Sequence, residues 1–234
     1  YFLAVLLAVF FLKETLGHVN PNAGLPKSET ETPKATRMSD VLRDKAFILA
    51  AIFLFMITIG SATVFTLLPL YAREVYGIPE SRISIVFSVN ALLCVFLQLV
   101  ATRFAVKIHP FHGMIFSAGL YTIAISSYAF FPSVAWYCLC MTVQTIGEII
   151  LSPTMLSLTA RRAPADARAR YMGILNLSYP VGSAVGPALA GSIFERIAPQ
   201  AIWINGGIFA FFAMIGYILL NRSNKNDPKL VMKH

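Results

Sequence analysis

The chain has 234 residues, of which 57% are apolar types and only 13% are charged, and its net charge is +8. Soluble domains average about 25% charged residues; one of this size cannot hide so much apolar surface, which argues against a water-soluble enzyme. The basic residues stand between apolar blocks, several longer than the ~18 residues of a membrane-spanning helix, so they are read as setting membrane orientation and not as a nucleic-acid surface.

Tyr1 to Leu12 is apolar, with no basic stretch before it and no small-residue cleavage site after it, so it does not read as a signal peptide. Twelve helical residues reach roughly 18 Å against a hydrocarbon core of ~30 Å. Residues 1–12 therefore read as the end of a membrane helix cut by the start of the chain. Residues 13–45 are polar, with Pro21, Pro26 and Pro33, and read as a linker with one short helix in which Ser39 caps Asp40–Lys45. Six spans are expected next, over Ala46–Ala72, Ile83–Ala101, Gly113–Phe131, Val134–Leu158, Met172–Phe194 and Ala201–Leu220. Residues 46–220 then form a six-helix transmembrane half-domain, and residues 221–234 a tail. A membrane β-barrel would show ten-residue segments of alternating polarity; these blocks are uniformly apolar and about twice as long.

Of the 19 Lys and Arg residues, 16 fall on one side of this layout and three (Arg73, Arg82 and Arg196) on the other. The positive-inside bias makes the linker and the C-terminus cytoplasmic, and its clean alternation supports the number of spans. Cys94, Cys138 and Cys140 all lie in apolar blocks and read as buried reduced thiols, not a disulfide framework. His109 and His112 flank Pro110 without a nearby Cys or carboxylate, so no metal site is expected. No nucleotide-binding, zinc-hydrolase or nucleophile-elbow pattern occurs in the sequence.

Ten of the eleven acidic residues lie outside the spans; the exception is Glu148. A charged side chain at mid-bilayer costs about 2.5–3.5 kcal/mol on insertion scales, so it faces a bundle interior or a watery cavity. Burial disfavours its charged form, the property a proton carrier or cation site needs. The bland alternative is a neutral Glu hydrogen-bonded to a neighbouring helix. Met141, Gln144, Glu148, Ser152 and Met155 share a helical stripe suited to lining a substrate cavity, although the two Met residues equally suit plain packing. Pro153 removes the backbone bond to Ile149 and favours a kink beside Glu148. Asn90, Cys94 and Gln98 share a face of the second span, where Asn90 serves either an interhelical hydrogen bond or the cavity. Thr58, Ser61, Thr63 and Thr66 are too common in membrane helices to single out. In the fifth span Gly182 and Gly186 form a GxxxG pattern, and with Pro187, Gly191 and Pro180 they suggest a helix that packs closely and bends. Arg161, Arg162, Arg168 and Arg170 crowd one short loop, either as a topological anchor or as a gate in which Arg168 or Arg170 pairs with acids elsewhere. Arg103 sits at the end of the second span.

The pattern as a whole resembles the C-terminal half of a twelve-helix major facilitator superfamily transporter, preceded by the end of helix six. Gly147-Glu148 with Ser152-Pro153, the Arg-rich stretch into Arg170-Tyr171-Met172-Gly173, and Gly182-xxx-Gly186-Pro187 are similar to proton-coupled drug efflux members. Asn90-Ala91-Leu92-Leu93 through Gln98 and Arg103 fits the family's eighth helix. Peptide-transporting relatives also resemble the chain around Gly147-Glu148 and Ser152-Pro153. The resemblance implies an all-α fold with two inverted three-helix repeats in each half. It implies a midplane cavity lined by Glu148, Gln144, Asn90 and Tyr179, and Arg103 and the loop arginines as a cytoplasmic gate or anchor. The expected partners are a small-molecule substrate, protons, the lipid bilayer and the missing N-terminal six-helix half, with no nucleic acid. No cofactor is expected, the proton gradient supplying the energy. The expected function is proton-coupled efflux of lipophilic or cationic small molecules from the cell membrane. The alternatives are a same-fold importer of peptides, sugars or metabolites, and a non-transporting scaffold. A polytopic membrane enzyme would need clustered His, Asp or Ser at membrane depth, which the chain lacks.

Overall fold

The computed structural model describes residues 37–105 and 108–224. The expected partial helix at 1–12, most of the linker and the end of the tail lie outside the described residues. Those described fold into helices joined by short connections, with no strand among them: α1 (Met38–Arg43), α2 (Lys45–Tyr76), α3 (Glu80–Ala105), α4 (Pro110–Ser127), α5 (Val134–Arg162), α6 (Arg168–Arg196) and α7 (Ala201–Ser223).

Helices α2 to α7 match the six expected spans one for one. On length and composition, α2, α3, α5 and α7 are each able to cross a membrane. α4 has 18 residues, roughly 27 Å, and α6 is diluted by Gly, Ser, Pro and Arg, so these two do not reach that length and apolarity by themselves. The short helix before the first span is present, but Ser39 does not cap it. Asp40 reaches back 2.8 Å to the Arg37 N–H instead, and Asp44 starts the next helix by accepting the Phe47 N–H at 3.2 Å.

The packing has an exchange symmetry. α2 packs on α6 and α7, α5 packs on α3 and α4, and α4 packs on α7, whereas α2 with α3 and α5 with α6 touch sparingly. Swapping α2 with α5, α3 with α6 and α4 with α7 reproduces the same set of partners. Successive spans alternate in direction, so helices three apart run oppositely. The pattern is that of two inverted three-helix repeats.

Glycines allow close helix contacts, and two of them set that between α6 and α2. A Cβ on Gly182 would strike the Thr58 side chain, and one on Gly186 would strike the Ile59 carbonyl oxygen. The GxxxG pair of α6 thus lies directly against α2. Gly191 has nothing within 4 Å of its Cβ position, so it takes no part. Helices α5 and α6 run unbroken through Pro153, Pro180 and Pro187.

The two ends of the bundle are closed differently. At one, Trp203 is fully buried with its ring centre 5.1 Å from Tyr71 and 5.3 Å from Tyr128, and Tyr128 lies 5.9 Å from Tyr137. The other end, roughly 40 Å away along α2, carries the buried ion pair described below. α3 is the least covered helix: Val95, Phe96 and Leu99 are each at least 70% exposed, an apolar surface suited to lipid or further protein.

Because a Cβ on Gly186 would meet the Ile59 backbone and one on Gly182 the Thr58 Cβ, neither of which can swing away, Gly182→Ala and Gly186→Ala are each expected to cost about 1–3 kcal/mol. Gly191→Ala, with open space around it, is expected to leave stability within about 0.5 kcal/mol. Thermal unfolding of the purified full-length protein in one detergent checks the order, and equal losses at Gly186 and Gly191 would sink it.

Candidate functional site

Helices α2, α4, α5 and α6 enclose a cavity of about 440 Å³. α2 supplies Thr58, Ser61, Phe65 and Thr66, α4 supplies Tyr121, α5 supplies Glu148 and Ser152, and α6 supplies Tyr179 and Ser183. The wall is mixed: hydroxyls and aromatic faces surround one carboxyl group.

Glu148 is half-buried, and among the described residues no cationic side chain forms an ion pair with it. It accepts a hydrogen bond from Asn90 on α3, whose Nδ2 donates to Oε2 at 3.3 Å. The same nitrogen donates to Thr145 Oγ1 at 2.8 Å. A carboxyl group held by a neutral donor accepts that bond in either protonation state. It is therefore able to take up a proton or to meet a cationic group arriving through the cavity.

The expected site residues divide into three sets. Glu148, Ser152 and Tyr179 line the cavity. Asn90 and Gln144 stand behind the wall. Gln144 is fully buried, its Nε2 donates to cavity-lining Ser61 Oγ at 3.3 Å, and its Oε1 has no partner among the described residues. Met141 and Met155 are buried in the hydrophobic core. The expected five-residue stripe is thus a cavity surface only at its central turns, because the neighbouring helices close over α5 on either side. Thr58, Ser61 and Thr66, passed over in the sequence, do line the cavity with Ala62 and Phe65. Their spacing of i, i+3 and i+8, continued by those two residues, is a legible helical stripe. Thr63 is off it, bonded to the Ile59 carbonyl at 2.9 Å.

The arginines also divide. The loop between α5 and α6 is shorter than the sequence suggests, because Arg161 and Arg162 lie in the last turn of α5 and Arg168 and Arg170 in the first of α6. Arg161 Nε donates to Ser157 Oγ at 3.3 Å. Arg103, Arg168 and Arg170 are exposed. The buried pair is made by Arg162, only 6% exposed: Nη1 donates to Asp44 Oδ1 at 2.8 Å and Nη2 to Asn224 Oδ1 at 3.1 Å. Tyr171 OH donates to Asp44 Oδ2 at 3.1 Å. One carboxylate therefore ties the start of α2 to the end of α5 and the start of α6, while Arg162 reaches the end of α7. Sequence reading overlooked Asp44 because it sits among linker charges, with nothing local to mark it as buried.

Breaking a buried pair leaves an uncompensated charge and costs about 3–5 kcal/mol. Asp44→Ala is expected to lower stability by about that much, and Asn224→Ala by about 1 kcal/mol, the worth of one side-chain hydrogen bond. Thermal or denaturant unfolding checks this, and a neutral Asp44→Ala would refute the tie.

His109, at the N-cap of α4, is held below the usual histidine range by burial, then by His112 and Arg161. A histidine depressed in the folded state contributes stability above its unfolded value, lost as pH falls below ~6.5 toward the folded one. Unfolding midpoints are expected to decline across that window in the wild type and less so in His109→Asn. Parallel pH profiles would contradict this.

Comparison with known proteins bears on the whole chain. A family model described as Major Facilitator Superfamily matches residues 1–136 and 83–233. The chain is 25% identical over 193 residues to Multidrug resistance protein MdtH of Escherichia coli O1:K1 / APEC, covering 80% of this chain and 48% of that protein. The figures are the same for MdtH of Shigella boydii serotype 18. The chain spans about half the length of the curated relatives it matches. Among solved structures it is similar to a POT family transporter crystallised with 5-aminolevulinic acid. The TM-score is 0.68 and the identity 18%, over 84% of this chain and 44% of that one. At that identity the likeness is one of fold.

Proposed function

Because the chain belongs to the major facilitator superfamily, we propose that it supplies one half of a proton-coupled secondary transporter exporting lipophilic or cationic small molecules. In this reading it pairs with an N-terminal six-helix half, and the linker and C-terminus are cytoplasmic. The observation that carries the proposal is Glu148: a carboxyl group on a membrane-depth cavity, held by an amide and met by no ion-paired cation among the described residues. Glu148 exchanges a proton, or pairs with the substrate's cationic group, as the cavity alternates between the two sides of the membrane. A potential of ~100 mV supplies about 2.3 kcal/mol per charge moved, enough for roughly fifty-fold accumulation. The aromatic faces of Phe65, Tyr121 and Tyr179 suit a flat apolar or cationic body, and the similarity to MdtH favours the same class. No cofactor enters this scheme, since the gradient supplies the work.

A second reading is an importer in the same fold. The similarity to a POT family transporter bound to an amino acid favours it, as does the row of hydroxyls on α2, which suits a polar solute.

The test uses inverted membrane vesicles carrying the full-length protein. Proton release is followed while a panel of lipophilic cations is added, comparing wild type with Glu148→Gln. The wild type is expected to release protons and the variant to lose the response. A wild type silent to every cation, yet active in uptake of small peptides, replaces export with import. A variant indistinguishable from an active wild type removes Glu148 from the coupling path, and a protein inactive in both assays fits a scaffold.

A further inference from the structure

The Asn90 amide has a defined orientation. Thr145 Oγ1 donates its proton to the Met141 carbonyl at 2.7 Å. It can then only accept from Asn90, at 2.8 Å, so the NH2 side of the amide must face it. The second proton of the same nitrogen points to Glu148 Oε2 at 3.3 Å. Thr145 is fully buried, and Thr145 and Glu148 lie three residues apart on α5, on adjacent turns. One amide on α3 thus forks across two side chains of α5, one a fixed anchor and the other the cavity carboxyl. Asn90 is not among the residues lining the cavity, and both its protons are already engaged.

We propose that Asn90 is a positioning residue: clamped on Thr145, it holds the Glu148 carboxyl from behind and governs how readily that group releases and regains a proton. This assigns Asn90 no substrate contact, and it rests on Glu148 being the proton-exchanging group. A hydrogen bond to a charged acceptor is stronger than one to its neutral form, so the amide favours the ionised state without adding a charge. The other titratable groups facing Glu148 are Cys94 on α3, Tyr121 on α4 and Tyr179 on α6. These are a thiol and two phenols, uncharged near pH 7. Asn90, which makes the hydrogen bond to the carboxyl, is the neighbour that discriminates between its two forms. Thr145 keeps the amide from turning its carbonyl toward Glu148, which would reverse the preference.

The experiment reads the carboxyl directly and needs no substrate. The purified full-length protein in lipid vesicles is treated with N,N′-dicyclohexylcarbodiimide, which modifies protonated carboxyl groups in apolar surroundings. Labelling of Glu148 is quantified by peptide mass spectrometry across a pH series. In Asn90→Leu the labelling midpoint is expected to move to higher pH by about one unit, equivalent to a tenfold change in the protonation equilibrium. Thr145→Val, which keeps the shape and removes only the anchor, is expected to move it the same way by less. The double variant is expected to match Asn90→Leu, because Thr145 acts through Asn90. Midpoints that coincide in wild type and Asn90→Leu overturn the proposal. So does a Thr145→Val shift that adds in full to that of Asn90→Leu. Proton flux in Glu148→Gln separately tests the transport reading: a normal flux there removes that reading, while an unmoved labelling midpoint with flux lost removes only the role of Asn90.

Discussion

The close glycine contact of α6 against α2 at Gly182 and Gly186 is the one on which the site depends. Within a bilayer there is little hydrophobic force between helices, since lipid tails are as apolar as leucine; close van der Waals packing has to hold them. Two glycines one turn apart let α6 rest on the backbone of α2 at Thr58 and Ile59. Hydrogen bonds reinforce the seam: Thr58 Oγ1 lies 3.1 Å from the Ser178 carbonyl, and Ser178 Oγ donates to the Ala51 carbonyl at 3.2 Å. With the two helices locked in this register, Ser61 and Thr66 on one and Tyr179 and Ser183 on the other come to line the same cavity.

The bundle is pinned at its two ends by different chemistry. Aromatic packing around Trp203 closes one end and needs no charge. Asp44 and Arg162 close the other, joined by Tyr171 and Asn224, so that four helix termini share one small polar network. Between these ends, several buried polar side chains find partners on the bundle's own backbone or on one another, while Gln144 Oε1 and Ser117 Oγ find none among the described residues. Tyr217 OH bonds to the Ala50 carbonyl, and Thr145 to that of Met141. This is what the absence of water demands. Glu148 stands apart, because its carboxyl is steadied by an amide and still opens on the cavity.

Much of the fold was legible because a membrane restricts the options severely. Uniform apolar blocks specified helices and their number, and the distribution of basic residues agreed with their alternation. Glu148 was legible for the same reason, as the lone acid inside a span. The glycine pattern was half legible: Gly182 and Gly186 pack as expected, whereas Gly191 faces open space. The Met residues show the limit. Helical periodicity places Met141 and Met155 on the stripe of Glu148, but periodicity says nothing about where a neighbouring helix ends the exposed part of that stripe. Thr58, Ser61 and Thr66 failed in the opposite direction, since hydroxyl residues are common in such helices and only their facing partners on α6 mark these as cavity wall.

The sequence by itself determined class, the positions of the long helices and the one costly charge, because each follows from local composition measured against the thickness and polarity of a bilayer. The tertiary structure alone decided which helices touch. It paired Asp44 with Arg162 across 118 residues and set the Asn90 amide between Thr145 and Glu148. It also made a cavity of four helices that are not all consecutive in the chain. Those outcomes rest on distances between remote segments, and residue spacing along a helix carries information about a face, never about what that face will meet.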